Sequence, residues 1–175
     1  TRYAKLSSSG FSSAYDSTGN KKFDNDSYVG NNFSTTIEYH SNPNLTVKFY
    51  VQNNNNRNDI DASSFTDSKT YFTKNTDLIT GGGFVFNKNY IIIVGNHQYS
   101  TSNRYYDNNY TAGGTFYSKN TYNSAFDFAE LFASFKILNR VNFLIGNDIR
   151  TYIMNSDYTS VSSLGSYSSK FKDTI

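Results

Sequence analysis

Alternation with a period of two constrains this chain more than any other feature. In Leu45-Thr46-Val47-Lys48-Phe49-Tyr50-Val51 the apolar residues Leu45, Val47, Phe49 and Val51 share one face, and Thr46, Lys48, Tyr50 and Gln52 share the other. Successive side chains of a strand point to opposite sides, so the run is a predicted strand with one apolar and one polar face. Phe33, Thr35, Ile37 and Tyr39 repeat the pattern upstream, and Ser41-Asn42-Pro43-Asn44 separates the two runs with turn-forming residues. Together they predict a β-hairpin. A second hairpin is predicted from Phe84–Phe86, Asn87–Asn89 and Tyr90–His97, and a third from Leu131–Ile137, Leu138–Arg140 and Val141–Asp148. Laid over each other, these two place Val94-Gly95-Asn96 on Ile145-Gly146-Asn147 and His97 on Asp148. With further strands over 2–8 and 158–171, the chain has about eight, in one domain covering 1–175.

Between the hairpins lie Ser9–Asp26, Asn53–Lys69 and Thr101–Asn120, rich in Asn and Ser and read as loops. They are far longer than the ~4–6 residues usual inside a compact domain. Short turns therefore collect at one end of the strands and long loops at the other. Composition removes several classes: 17% charged against 18% aromatic residues excludes general disorder, and zero Cys excludes disulfide scaffolds and thiolate chemistry. A net charge of +2 without a basic stripe gives no nucleic-acid footprint. The longest apolar run, Tyr90–Val94, is far too short for a spanning helix, which needs about 20 residues.

This organisation resembles a small bacterial outer-membrane β-barrel of the eight-stranded type, or an eight-strand segment of a larger porin-like barrel. The resemblance implies an all-β, antiparallel up-and-down barrel. It implies an outer-membrane structural or surface-exposed protein, non-enzymatic and without cofactors, with membrane lipid around it and loops available to an extracellular glycan or host protein. Such barrels commonly end on an aromatic residue, whereas here Phe171 precedes Lys172-Asp173-Thr174-Ile175, a departure that fits either a piece cut from a longer barrel or a chain of another family. The outward set would be Phe33, Ile37, Tyr39; Leu45, Val47, Phe49, Val51; Leu78, Phe84, Phe86; Tyr90, Ile92, Val94; Leu131, Ala133, Phe135; and Val141, Phe143, Ile145, Ile149. Glu38, His40, Lys48, His97, Glu130, Lys136, Asp148 and Arg150 would form an interior polar network. Tyr39, Phe86, Tyr90 and Phe135 near the turns, and Tyr28, Tyr71, Tyr99, Tyr122 and Tyr152 near the loops, would make two aromatic girdles. The same alternation fits a soluble secreted β-sandwich or jelly-roll binding module, with the apolar face turned inward.

Chemistry is sparse. His40 and His97 are the two imidazoles, and no nucleophile elbow accompanies them. Gly81-Gly82-Gly83 lacks the Lys and Ser/Thr of a phosphate loop and reads as a bend or close approach. Asp24-Asn25-Asp26, Asp59-Ile60-Asp61 and Asp107-Asn108-Asn109 have carbonyl and carboxylate oxygens suited to Ca²⁺, without the Gly and Glu of an EF-hand loop, and read as solvated turns. Tyr99, Tyr105, Tyr106, Tyr110 and Tyr117, set among Asn, Ser and Thr, are candidate recognition residues in loops.

Overall fold

The computed structural model describes residues 1–12, 14, 15, 19, 23–61, 64, 65, 67, 68, 70–108, 117–137, 141–162 and 164–174. Eight strands follow one another: β1 (Arg2–Ser8), β2 (Tyr28–Asn42), β3 (Leu45–Asp59), β4 (Tyr71–Lys88), β5 (Ile91–Asn108), β6 (Tyr117–Ile137), β7 (Val141–Ser162) and β8 (Gly165–Thr174). They lie in sequence order in a single antiparallel sheet. The all-β up-and-down meander is thus as expected, but among the described residues β1 and β8 share no hydrogen bonds and the sheet is not closed. The two flanking strands are short. β1 covers β2 only from Tyr28 to Ser34, and β8 covers β7 only from Ile153 to Ser162. Thr35–Asn42 of β2 and Val141–Tyr152 of β7 consequently pair on one side only.

The strands run further than expected into the polar stretches. Asn53–Asp59, Thr101–Asn108 and Tyr117–Asn120 are strand rather than loop. Asn favours turns locally, but Asn53–Asn58 is hydrogen-bonded between β2 and β4 on both sides, and a two-sided ladder outweighs that preference. The strand expected over 158–171 divides between the end of β7 and β8, with only residues 163–164 between them.

Register fixes the faces. Tyr39 lies opposite Val47, Val47 opposite Phe84, Phe84 opposite Gly95 and Gly95 opposite Leu131, so the apolar sets of β2, β3, β4 and β6 share one side. Strand β5 departs from expectation. Asn89 and Tyr90 form a two-residue turn, Asn89 at φ 54°, and Lys88 pairs with Ile91 and Phe86 with Ile93. Ile91 and Ile93 therefore join the apolar side, and Ile92 and Val94 the other. Four consecutive apolar residues satisfied either phase, and the turn decided between them.

One face we call inner. A cleft of about 580 Å³ on it takes its lining from β3 through β8. Strands five apart lie about 24 Å from each other in a flat sheet, so the sheet must curl around this side. On the outer face an apolar band crosses the strands obliquely. The ladder position of Tyr39 arrives on β7 at Asn147, yet the apolar residues of β7 continue to Val141, six residues further over five strand steps. At the loop end, the ladder position of Phe33 arrives at Ile153, and the band on β7 stops four residues nearer the turn, at Ile149. Thr151 separates Ile153 from it, and Asn147 is one amide within it. The band thus climbs about one residue per strand. With about 3.3 Å per residue and about 4.8 Å between strands, that corresponds to a strand tilt of about 35°.

Aromatic rings lie across glycines on both faces. A Cβ at Gly81 would meet the Tyr50 ring at 2.5 Å and the His97 carbonyl oxygen at 2.6 Å, and one at Gly95 would meet the Phe84 ring at 2.5 Å. These glycines give the rings a flat seat against the facing backbone. We expect Gly81→Val to lower stability by about 1–3 kcal/mol, since the ring and a carbonyl must both move. Urea unfolding followed by far-UV circular dichroism measures this, and an unchanged midpoint would contradict the packing.

Candidate functional site

The inner face is built around one ladder row. Ala4, Asn32, Asn54, Asp77, Ser102, Ser124, Met154 and Asp173 lie opposite one another in turn, one residue per strand across all eight strands. Clefts of about 580 and 340 Å³ meet at Asn54 and Asp77, and a third of about 400 Å³ adjoins at Ser102, Ser124 and Met154. Asp77 is the hub of the polar half: it accepts from Asn75 Nδ2 at 2.7 Å and from Ser102 Oγ at 2.6 Å. The opposite wall is aromatic. Phe126 stacks on Tyr152 at 4.6 Å and on Phe128 at 6.2 Å, and Tyr106 meets Tyr122 edge-on at 6.2 Å. Tyr50 reaches across β4 to donate to Gln98 Oε1 at 3.1 Å. The result is an amphipathic trough, polar on β3–β5 and aromatic on β6–β7.

The expected interior network is present in two separate parts. Glu38, His40 and Lys48 sit on the inner side of the first hairpin, where His40 Nε2 lies 3.1 Å from Glu38 and its Nδ1 lies 3.0 Å from Thr46 Oγ1. Lys48 instead leans over Tyr50, 5.9 Å from the ring centre. Glu130, Asp148 and Arg150 form the second part: Glu130 accepts from Asn96 Nδ2 at 2.5 Å, Arg150 pairs with Asp148 and covers Phe128 at 5.3 Å. Lys136 is opposite Asn142, nearer the turn end, and makes no ion pair among the described residues. His97 belongs to neither part. The phase of β5 puts it on the outer face, where it pairs with Asp127 at 3.2 Å rather than lying near Asp148. The partners Thr46, Asn96 and Asp127 carry no signal in the sequence, because cross-strand neighbours depend on register and not on sequence spacing.

The candidate recognition tyrosines do not form a loop surface. Tyr99, Tyr105 and Tyr106 stand on β5, the first two on the outer side and Tyr106 on the inner, while Tyr117 opens β6. Tyr110 lies outside the described residues. Of the expected loop-end girdle, Tyr99 faces outward, where Phe72 and Tyr105 join it, whereas Tyr28, Tyr71, Tyr122 and Tyr152 face inward. At the turn end Phe135 stacks on Phe143 at 5.8 Å, with Tyr39 and Phe86 on the same side.

Beyond the loop ends of β2, β3 and β4, two of the expected acidic triplets meet a third segment. Ligand oxygens of Asp24, Asp61 and Asp67 all lie within 4.8 Å of one another. Backbone amides hold them there: Ala14 N donates to Asp61 Oδ2 at 2.6 Å, Ser68 N to Asp61 Oδ1 at 3.0 Å and Asp24 N to Asp67 Oδ2 at 3.3 Å. A hydrogen bond between the Asp67 and Asp24 side chains, then burial, then the neighbouring charge push the Asp67 carboxyl up to about 6. No family model matches the chain, and neither a curated protein nor a solved structure matches it.

A carboxyl whose folded pKa is raised binds more protons folded than unfolded between about pH 4 and 6. The loop arrangement is therefore favoured on the acid side and weakens as pH rises through about 6. We expect the Asp67 carboxyl carbon resonance to titrate with a midpoint near 6. In Asp24→Asn the midpoint should fall towards the ordinary aspartate range. A wild-type midpoint near 4 would contradict the cluster.

Proposed function

We propose that this chain forms the wall of a bacterial outer-membrane β-barrel, with its outer face in lipid and its polar trough lining the interior. The reading is of a structural or surface-exposed protein, with no chemistry assigned to it. The observation that carries it is the oblique apolar band. In a membrane barrel the strands tilt by about 35–45°, so a level slab of hydrocarbon must cross successive strands at shifting positions. A climb of about one residue per strand is what that tilt requires. On β4 the band runs from Leu78 to Phe86, eight residue steps, or roughly 22 Å of height at a tilt of 35°, close to the about 25 Å of a barrel's apolar belt.

Burial supports the same reading. Ala14 is the only buried hydrophobic residue among those described, whereas Ile37, Phe49, Ile145 and Ile149 are 59–66% exposed. A soluble sandwich would cover such a face with a second sheet, and the eight strands here make a single layer. Within lipid the one-sided edges of β2 and β7 need partners, which closure of the sheet would supply.

Adjacent residues on one strand give a direct test. Val47 faces outward and Thr46 inward. We expect Val47→Arg to disfavour folding into phosphatidylcholine bilayers by about 2–4 kcal/mol and Thr46→Arg to have little effect. If the pair behaves alike, or the wild-type chain folds as a monomer in buffer without detergent, the membrane reading is wrong.

A further inference from the structure

The outer face beyond the loop-end limit of the band is cationic. Lys5, Arg57, Lys74, Lys119, Lys170 and Lys172 lie there against Asp59, Asp107 and Asp157, whereas Lys88 is the one such charge past the turn-end limit among the described residues. The charges on β3–β6 are arranged around a cleft of about 600 Å³ lined by Arg57, Phe72, Lys74, Thr76, Asn103 and Tyr105. Phe72 and Tyr105 form its floor, with ring centres 5.8 Å apart. Arg57 lies over Phe72 at 4.3 Å, and Lys119 lies over Tyr105 at 5.1 Å. Lys74 is directly opposite Tyr105 in the ladder, so two lysines flank one ring.

Each anion here is held through at least one oxygen, while Asp107 Oδ1 has no hydrogen-bond partner among the described residues. Asp59 is held by Arg57 at 3.0 Å and by Ser27, and Asp107 accepts from Tyr105 Oη at 2.5 Å. Lys74 and Lys119 form no ion pair among the described residues, and Thr76 and Asn103 add neutral donors between the lysines and the band. Depth matters as well. Lys74 is four residues beyond Leu78, the last apolar residue of β4 at this end, which places its backbone about 11 Å above the band at a tilt of 35°.

We propose that this cleft binds the phosphorylated headgroup of an anionic amphiphile whose acyl chains lie along the adjoining apolar band. The lysines neutralise the phosphate, Thr76 and Asn103 donate to its oxygens, and the Phe72 and Tyr105 rings seat the interfacial part of the molecule. The proposal rests on the membrane reading and deepens it by naming a preferred lipid class.

The test uses the whole chain folded into phosphatidylcholine vesicles, with association of spin-labelled phosphatidic acid compared with spin-labelled phosphatidylcholine. We expect phosphatidic acid to be enriched at the protein, with about a fivefold loss on removing either Lys74 or Lys119. Lys74→Gln with Lys119→Gln should bring the two lipids close to equal association, while Lys170→Gln with Lys172→Gln should retain most of the preference. Inorganic phosphate at matched concentration should not displace the lipid. Incorporation without enrichment, an unchanged preference in the Lys74/Lys119 double variant, or displacement by free phosphate would overturn the headgroup site alone. Failure to incorporate into phosphatidylcholine at all would overturn the membrane reading and the proposal with it.

Discussion

Everything in this molecule depends on the cross-strand hydrogen-bond ladder. A globular domain is held by a core, but this sheet is one layer thick and almost none of its large side chains are buried. The ladder satisfies the backbone within the sheet, which leaves each face free to match a different surrounding. Register then becomes the determinant of function, because a slip of one residue would exchange the two faces. The rings seated on Gly81 and Gly95 help to fix that register, one from each side.

Much of the fold was legible in the sequence for this reason. Period-two alternation at Leu45–Val51, Phe33–Tyr39 and Val141–Ile145 allowed only one phase, and the structure keeps it. Ile91–Val94 is apolar throughout and carries no phase, so the sides of Ile92, Val94 and His97 are not fixed by the sequence and are set by the turn at Asn89 and Tyr90. The Asn-rich segments depart from expectation for a different reason. Their local preference is for turns, and the ladders that override it join Asn53–Asn58 to strands far away in sequence. The site was less legible than the fold. The inner row from Ala4 to Asp173 becomes one feature only when seven registers are known together.

The two faces divide the work. The inner trough sets amides, hydroxyls and Asp77 against the stacked wall of Phe126, Phe128 and Tyr152, an environment for water and polar solutes with one aromatic side. Among the described residues the polar contacts made by charged groups on that face lie at separate places, at His40–Glu38, at Asp148–Arg150 and around Asp77. On the outer face the order from turn to loop end is aromatic residues, apolar band, the His97–Asp127 pair beside Tyr99, a row of Asn31, Asn55, Thr76, Asn103, Asn123 and Asn155, and then the cations. That sequence runs from hydrocarbon-compatible to water-compatible chemistry over a few residues.

The central claim is that the outer face meets lipid along an oblique band. The chain has no Cys, so single cysteines can be placed along β3 and β7 and labelled with nitroxides without background. Accessibility to molecular oxygen against a water-soluble nickel chelate then reports depth residue by residue. The account predicts high oxygen accessibility at odd positions from Leu45 to Val51, ending before Asn53. On β7 it predicts the same at odd positions from Val141 to Ile149, apart from Asn147, and ending before Thr151. Equal chelate accessibility at odd and even positions, or protection from both reagents along the odd positions, would contradict it.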